Sequence, residues 1–78
     1  MANPIDSKTK RERLKPRREP YWAMLEKYVA LGYRKPETGT GTWVVRRRDE
    51  DSKSRYQALG THESFDSAAK AAREWLAL

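Results

Sequence analysis

Only one segment of this chain has a helical period, and it lies near the C-terminal end. Phe65, Ala68, Ala69, Ala72, Trp75 and Leu76 fall at i, i+3, i+4, i+7, i+10 and i+11, one stripe of an α-helix. Ser64 is a good N-cap, and Asp66 falls in the first turn, where the helix dipole favours an acid. Lys70, Arg73 and Glu74 lie off the stripe, and the three alanines let the helix sit close to whatever it covers. Such a chain must draw the rest of its core from extended segments, and one helix covers one face of a small sheet.

Those segments are present. Tyr28 to Lys35 is rich in β-formers and is stopped by Pro36. Pro36 to Gly41 is a turn by composition, and Thr42 to Arg48 follows as a second strand. Asp49 to Ser54 is a polar turn, and Arg55 to Gly60 is a short third strand. Short loops between successive strands favour an antiparallel meander. The expected fold is α+β, a three-stranded antiparallel sheet packed on one C-terminal α-helix. Strands are expected at about 28–35, 42–49 and 55–60, and the helix at about 64–77. Tyr21 to Leu25 is apolar and short, and reads equally as a helical turn after Pro20 or as an extended lead-in. Residues 1–20 hold little that is apolar beyond Ile5 and Leu14. With Pro4, Pro16 and Pro20 they read as a disordered basic tail ahead of a folded domain over 21–78.

The charge is graded along the chain. The total is +6, from 17 Lys and Arg against 11 Asp and Glu. Residues 8–18 hold seven basic side chains (Lys8, Lys10, Arg11, Arg13, Lys15, Arg17 and Arg18) and one acid, so residues 19–78 are nearly neutral. A basic tail serves either solubility and localisation or the phosphates of a nucleic acid, ordering as it binds. At 78 residues the core is thin and one domain is the ceiling. With no Cys there is no disulfide, thiol or Cys-based zinc chemistry, which suits a reducing compartment. No apolar run approaches the roughly 20 residues of a membrane span. The chain thus reads as a soluble intracellular protein whose partner is a polyanion, nucleic acid before membrane.

Strand alternation sorts the side chains. Trp43, Val45 and Arg47 share one face of the second strand, and Thr42, Val44, Arg46 and Arg48 the other. Trp43 belongs with Phe65 and Trp75 in the core, which leaves Arg46 and Arg48 on the open face. Two arginines at i, i+2 repel across a short gap. They suit a polyanion, unless Asp49, Glu50 and Asp51 simply balance them in a solvated face. In the first strand Leu31 and Tyr33 share a face, with Gly32 and Arg34 on the other, and Gly32 admits a close neighbour. In the third, pattern alone turns Tyr56 and Ala58 inward, yet then Leu59 points out.

The runs Leu31-Gly-Tyr-Arg-Lys, Gly41-Thr-Trp-Val-Val-Arg-Arg-Arg-Asp, Tyr56-Gln-Ala-Leu-Gly and Phe65-Asp-Ser-Ala-Ala-Lys-Ala-Ala, with the lead-in Pro16-Arg-Arg-Glu-Pro-Tyr-Trp, cover most of residues 16–78. In order and spacing they resemble the N-terminal DNA-binding domain of phage and prophage integrases of the tyrosine recombinase family. They are also similar to the plant ethylene-response-factor DNA-binding domain. The resemblance implies binding of arm-type double-stranded DNA sites, with a three-stranded sheet in the major groove, in support of DNA integration and recombination. It implies nucleic-acid contacts from Arg34, Arg46, Arg48 and Tyr56, with the basic residues of 8–18 on phosphates or in the minor groove. Lys35, Thr42 on the open face, and Arg55, which pattern alone turns outward with Gln57, complete the expected contact set. It also favours Tyr56 and Ala58 facing DNA, against the bare pattern, though Ala58 lacks the large contact residue of the plant domains. The expected setting is the cytoplasm of a bacterial host, at the nucleoid, with other integrase subunits as further partners.

Catalysis is not expected of this segment. The family's tyrosine nucleophile belongs to a C-terminal catalytic domain that 78 residues cannot hold. His62 is the only histidine, so a metal site or Ser-His-Asp arrangement is not expected, nor a cofactor or small-molecule ligand. The alternatives are a stand-alone DNA-binding regulator of the same fold and a protein-interaction domain with an incidental basic tail. RNA is left open by charge, although no stacking aromatics stand out in the pattern.

Overall fold

The computed structural model describes residues 5–51 and 53–78; the first four residues of the expected tail, and Ser52 in the expected second turn, lie outside them. The elements in chain order are α1 (Lys8–Arg13), β1 (Tyr21–Glu26), β2 (Val29–Arg34), β3 (Thr42–Arg48), β4 (Ser54–Gly60) and α2 (Phe65–Leu76). The strands form one antiparallel sheet in the order β1-β2-β3-β4. The fold is therefore α+β, but with four strands and two helices where the sequence led to three strands and one helix.

Both additions have physical reasons. β1 pairs with β2, placing Tyr21 opposite Tyr33, Trp22 opposite Gly32 and Ala23 opposite Leu31. Its residues alternate properly, Tyr21 and Ala23 towards the core and Trp22 and Met24 away from it. Both sets are apolar, so the polar–apolar alternation that marks a half-buried strand is missing. The helix α1 replaces part of the expected disordered tail. Six residues cannot sustain a helix alone. Here the Ser7 hydroxyl accepts from the Lys10 amide at the N-terminus. At the other end the Lys35 ammonium donates to the carbonyls of Arg11 at 2.8 Å and Glu12 at 2.7 Å. Ile5, ahead of it, is fully buried in the core, and Leu14 packs at its edge.

The core lies between the sheet and α2. Leu31, Val45 and Trp43 project from the sheet onto Ala68, Ala69 and Ala72 of α2, with Ile5 beside them. Burying an aromatic the size of Trp43 is worth roughly 4–6 kcal/mol at about 25 cal/mol per Å². Its ring meets Tyr33 at 4.9 Å and Phe65 at 6.2 Å, and its Nε1–H donates to the His62 carbonyl at 3.3 Å. Arg11 is also buried. Its guanidinium donates to the carbonyls of Ile5 and Glu63 and lies over the rings of Trp43 and Tyr33. Carbonyl bonds and ring faces together offset the loss of water around this cation. α2 crosses β2, β3 and β4 on this face, and among the described residues no helix covers the opposite face of the sheet. Ser64 caps α2 as expected from its position, its hydroxyl accepting from the Ser67 amide at 3.1 Å.

Candidate nucleic-acid interface

The face away from α2 is built in cross-strand rows. Met24, Ala30, Arg46 and Tyr56 make one row, and Trp22, Gly32, Val44 and Ala58 the next. Arg34 lies opposite Thr42 at one end, and Arg48 opposite Ser54 at the other. Tyr56 and Ala58 therefore face outward, and Leu59 packs against the core. Among the described residues, these rows and end pairs hold three arginines, Arg34, Arg46 and Arg48, and no acidic residue.

The arginines of β3 and β4 that point to the helix side behave differently. Arg55 and Arg47 sit opposite one another, and both reach the Asp49 carboxylate, at 3.2 Å and 3.8 Å. Asp49 thus serves the covered side. Among the described residues no carboxylate lies within 4.0 Å of Arg34, Arg46 or Arg48. The solvated-face alternative needed such balancing, and its nearest acid is committed elsewhere. Arg55 does not join the open face: β4 alternation turns it to the other side.

The remaining expected contacts divide. Lys35 caps α1 and is held by two carbonyls, and Arg11 is buried, so neither presents its charge as expected. Lys10 pairs with Asp6 at 3.0 Å. Arg17 stacks on Tyr21 at 3.6 Å and donates to the carbonyls of Glu19 and Pro20. Its amide donates to the Lys35 carbonyl, which draws the basic segment alongside the end of β2. Arg17 and Arg18 line a cleft of about 430 Å³ with Arg34, so this segment adjoins the Arg34 end of the open face. Lys8, Arg13, Lys15 and Arg18 are exposed.

Trp22 and Met24 belong to the face but escaped the sequence reading, as did its aromatic character. The Trp22 indole lies over Gly32, the Arg46 guanidinium sits 4.8 Å from its centroid, and Tyr56 is 6.3 Å away. The signal was present in part: Gly32 marked a place where a neighbouring strand or a partner could approach closely.

His62 is accounted for structurally. Its Nε2 donates to the Leu59 carbonyl at 3.0 Å, and its Nδ1 is hydrogen-bonded with the Ser67 hydroxyl at 2.9 Å. Among the described residues no group of three or more His, Cys, Asp or Glu is placed to hold a metal ion. No helix in them is long and apolar enough to cross a membrane. No protein-family model, curated protein or solved structure matches the chain.

Proposed function

We propose that the uncovered sheet face binds double-stranded DNA through the major groove, as a non-catalytic recognition module. The observation that carries this reading is the set Arg34, Arg46 and Arg48, with no carboxylate among the described residues within 4.0 Å of any of them, while Arg47 and Arg55 of the other face are paired with Asp49. Unpaired guanidinium groups on a sheet match phosphate oxygens and the guanine edge. The dimensions agree. Strands lie about 4.8 Å apart, so β2, β3 and β4 span about 10 Å between outer axes, within a groove about 12 Å wide. β1 adds a further spacing and rides at the groove lip. The resemblance to the integrase arm-binding domain supplies the setting: arm-type sites, recombinase subunits carrying the chemistry in another domain, and a bacterial nucleoid.

The test is the salt dependence of binding to duplex DNA. Contacts to about 4–6 phosphates give a slope of log affinity on log salt of roughly −4 to −5. Arg46→Ala is expected to narrow the gap between preferred and random duplexes, and a flat salt response overturns the reading. A second reading is favoured by Tyr56, 59% exposed, and Trp22 on the same face: stacking of single-stranded bases. Competition between a duplex and its separate strands decides between the two.

A further inference from the structure

We infer that Trp22 is a positioning residue that fixes the direction of Arg46, making Arg46 the base-reading arginine of the face. The inference rests on the duplex-binding reading and adds the residue that sets its specificity.

The support is a stack of contacts. Gly32 is buried, and a Cβ there would lie 2.8 Å from Cζ3 and 2.9 Å from Cε3 of Trp22. The indole therefore rests directly on the β2 backbone. Ala30, the other outward residue of mid-β2, is also small and buried, so β2 forms a trough. Arg46, opposite Ala30, leans across it, and its guanidinium carbon lies 4.8 Å from the indole centroid. Tyr56, opposite Arg46 on β4, bounds the other side, its ring tilted 56° to the indole. Among the described residues neither Arg34 nor Arg48 lies over an aromatic ring. Tryptophan is the strongest of the aromatic partners for a cation. A long side chain held in one direction loses less freedom when it forms a bidentate bond. The ligand this suits is the paired acceptor edge of guanine, O6 with N7. Arg34 and Arg48, which lack such a guide, serve phosphates equally well on any sequence.

The experiment begins with a preferred duplex selected from a randomised pool using the full chain. Its affinity is compared with that of a scrambled duplex for the wild type, Trp22→Leu, Trp22→Phe, Arg46→Ala and the Trp22→Leu/Arg46→Ala double variant, each checked by thermal melting. Trp22→Leu is expected to lower the preferred-to-scrambled ratio at least about fivefold and to leave the salt slope unchanged. Trp22→Phe, which keeps a ring, is expected to fall between, and carries the test if the leucine variant does not fold. With Arg46 already alanine, Trp22→Leu is expected to change the ratio no further. Equal weakening on both duplexes, or the same loss of ratio in the Arg46→Ala background, overturns the inference. Failure of the wild type to bind any duplex overturns the duplex reading itself, and the wild type alone reveals it.

Discussion

The side-chain ammonium of Lys35, just beyond β2, donates to the main-chain carbonyl of Arg11 at 2.8 Å, closing the C-terminal end of α1. Arg11 in turn sends its guanidinium into the core. Two cations that sequence places in a nucleic-acid surface are thus spent on joining the N-terminal segment to the fold.

Arg11→Ala is expected to cost about 2–4 kcal/mol, since it removes two charge-assisted bonds and the ring contacts beneath them. Lys35→Ala is expected to cost less, about 1 kcal/mol, the scale of a cation at a helix C-terminus. Urea unfolding measures both. If Arg11→Ala leaves stability unchanged and instead flattens the salt slope of DNA binding, the residue is a phosphate contact after all.

Removing residues 1–18 is expected to destabilise the domain by at least about 3 kcal/mol, since Ile5 leaves the core along with Arg11. Exchanging only the exposed Lys8, Arg13, Lys15 and Arg18 for Gln separates charge from anchorage. That variant is expected to melt near the wild type and to bind duplex with a shallower salt slope. Near-ultraviolet circular dichroism and melting curves distinguish the two, and a truncated chain that melts like the wild type refutes the anchoring role.

Tyr28 holds a left-handed backbone, φ 67°, in the turn between β1 and β2, and its side chain is exposed. Tyr28→Gly is expected to raise stability by about 1 kcal/mol, because glycine adopts that conformation without penalty. The ring lines the Arg48 end of the open face beside Met24, so the stabilised variant is also expected to bind duplex more weakly. A variant both less stable and equally tight-binding contradicts this account.

Gly41 is buried immediately before β3, and a Cβ at this position would run into the Tyr33 ring. Gly41→Ala is expected to cost about 1–3 kcal/mol as the ring is displaced from Trp43. Chemical denaturation gives the value, and an unchanged midpoint shows that Tyr33 yields freely.

The outward facing of Arg46 and Arg48 is legible because Trp43 and Val45 fix the core side of β3, and that of Arg34 because Leu31 and Tyr33 fix it in β2. β1 has no such contrast, since Trp22 and Met24 are as apolar as the residues they alternate with. α1 was hidden for another reason. Its anchor is one isoleucine and a guanidinium satisfied by a carbonyl 52 residues away, and no local period encodes that. Arg55 misled because β4 is an edge strand, where both faces stay wet and polarity no longer reports direction.

The bond from Arg11 to Glu63 also has a bearing on the order of assembly. Each hairpin of the meander closes over a few residues, whereas docking α1 must bring together groups from opposite ends of the chain. Long closures are entropically unfavourable until the surfaces they join exist. The meander with α2 is therefore expected to form first and α1 to seat last. Opening is expected to run in reverse, with the N-terminal segment reaching a protease before the strands do.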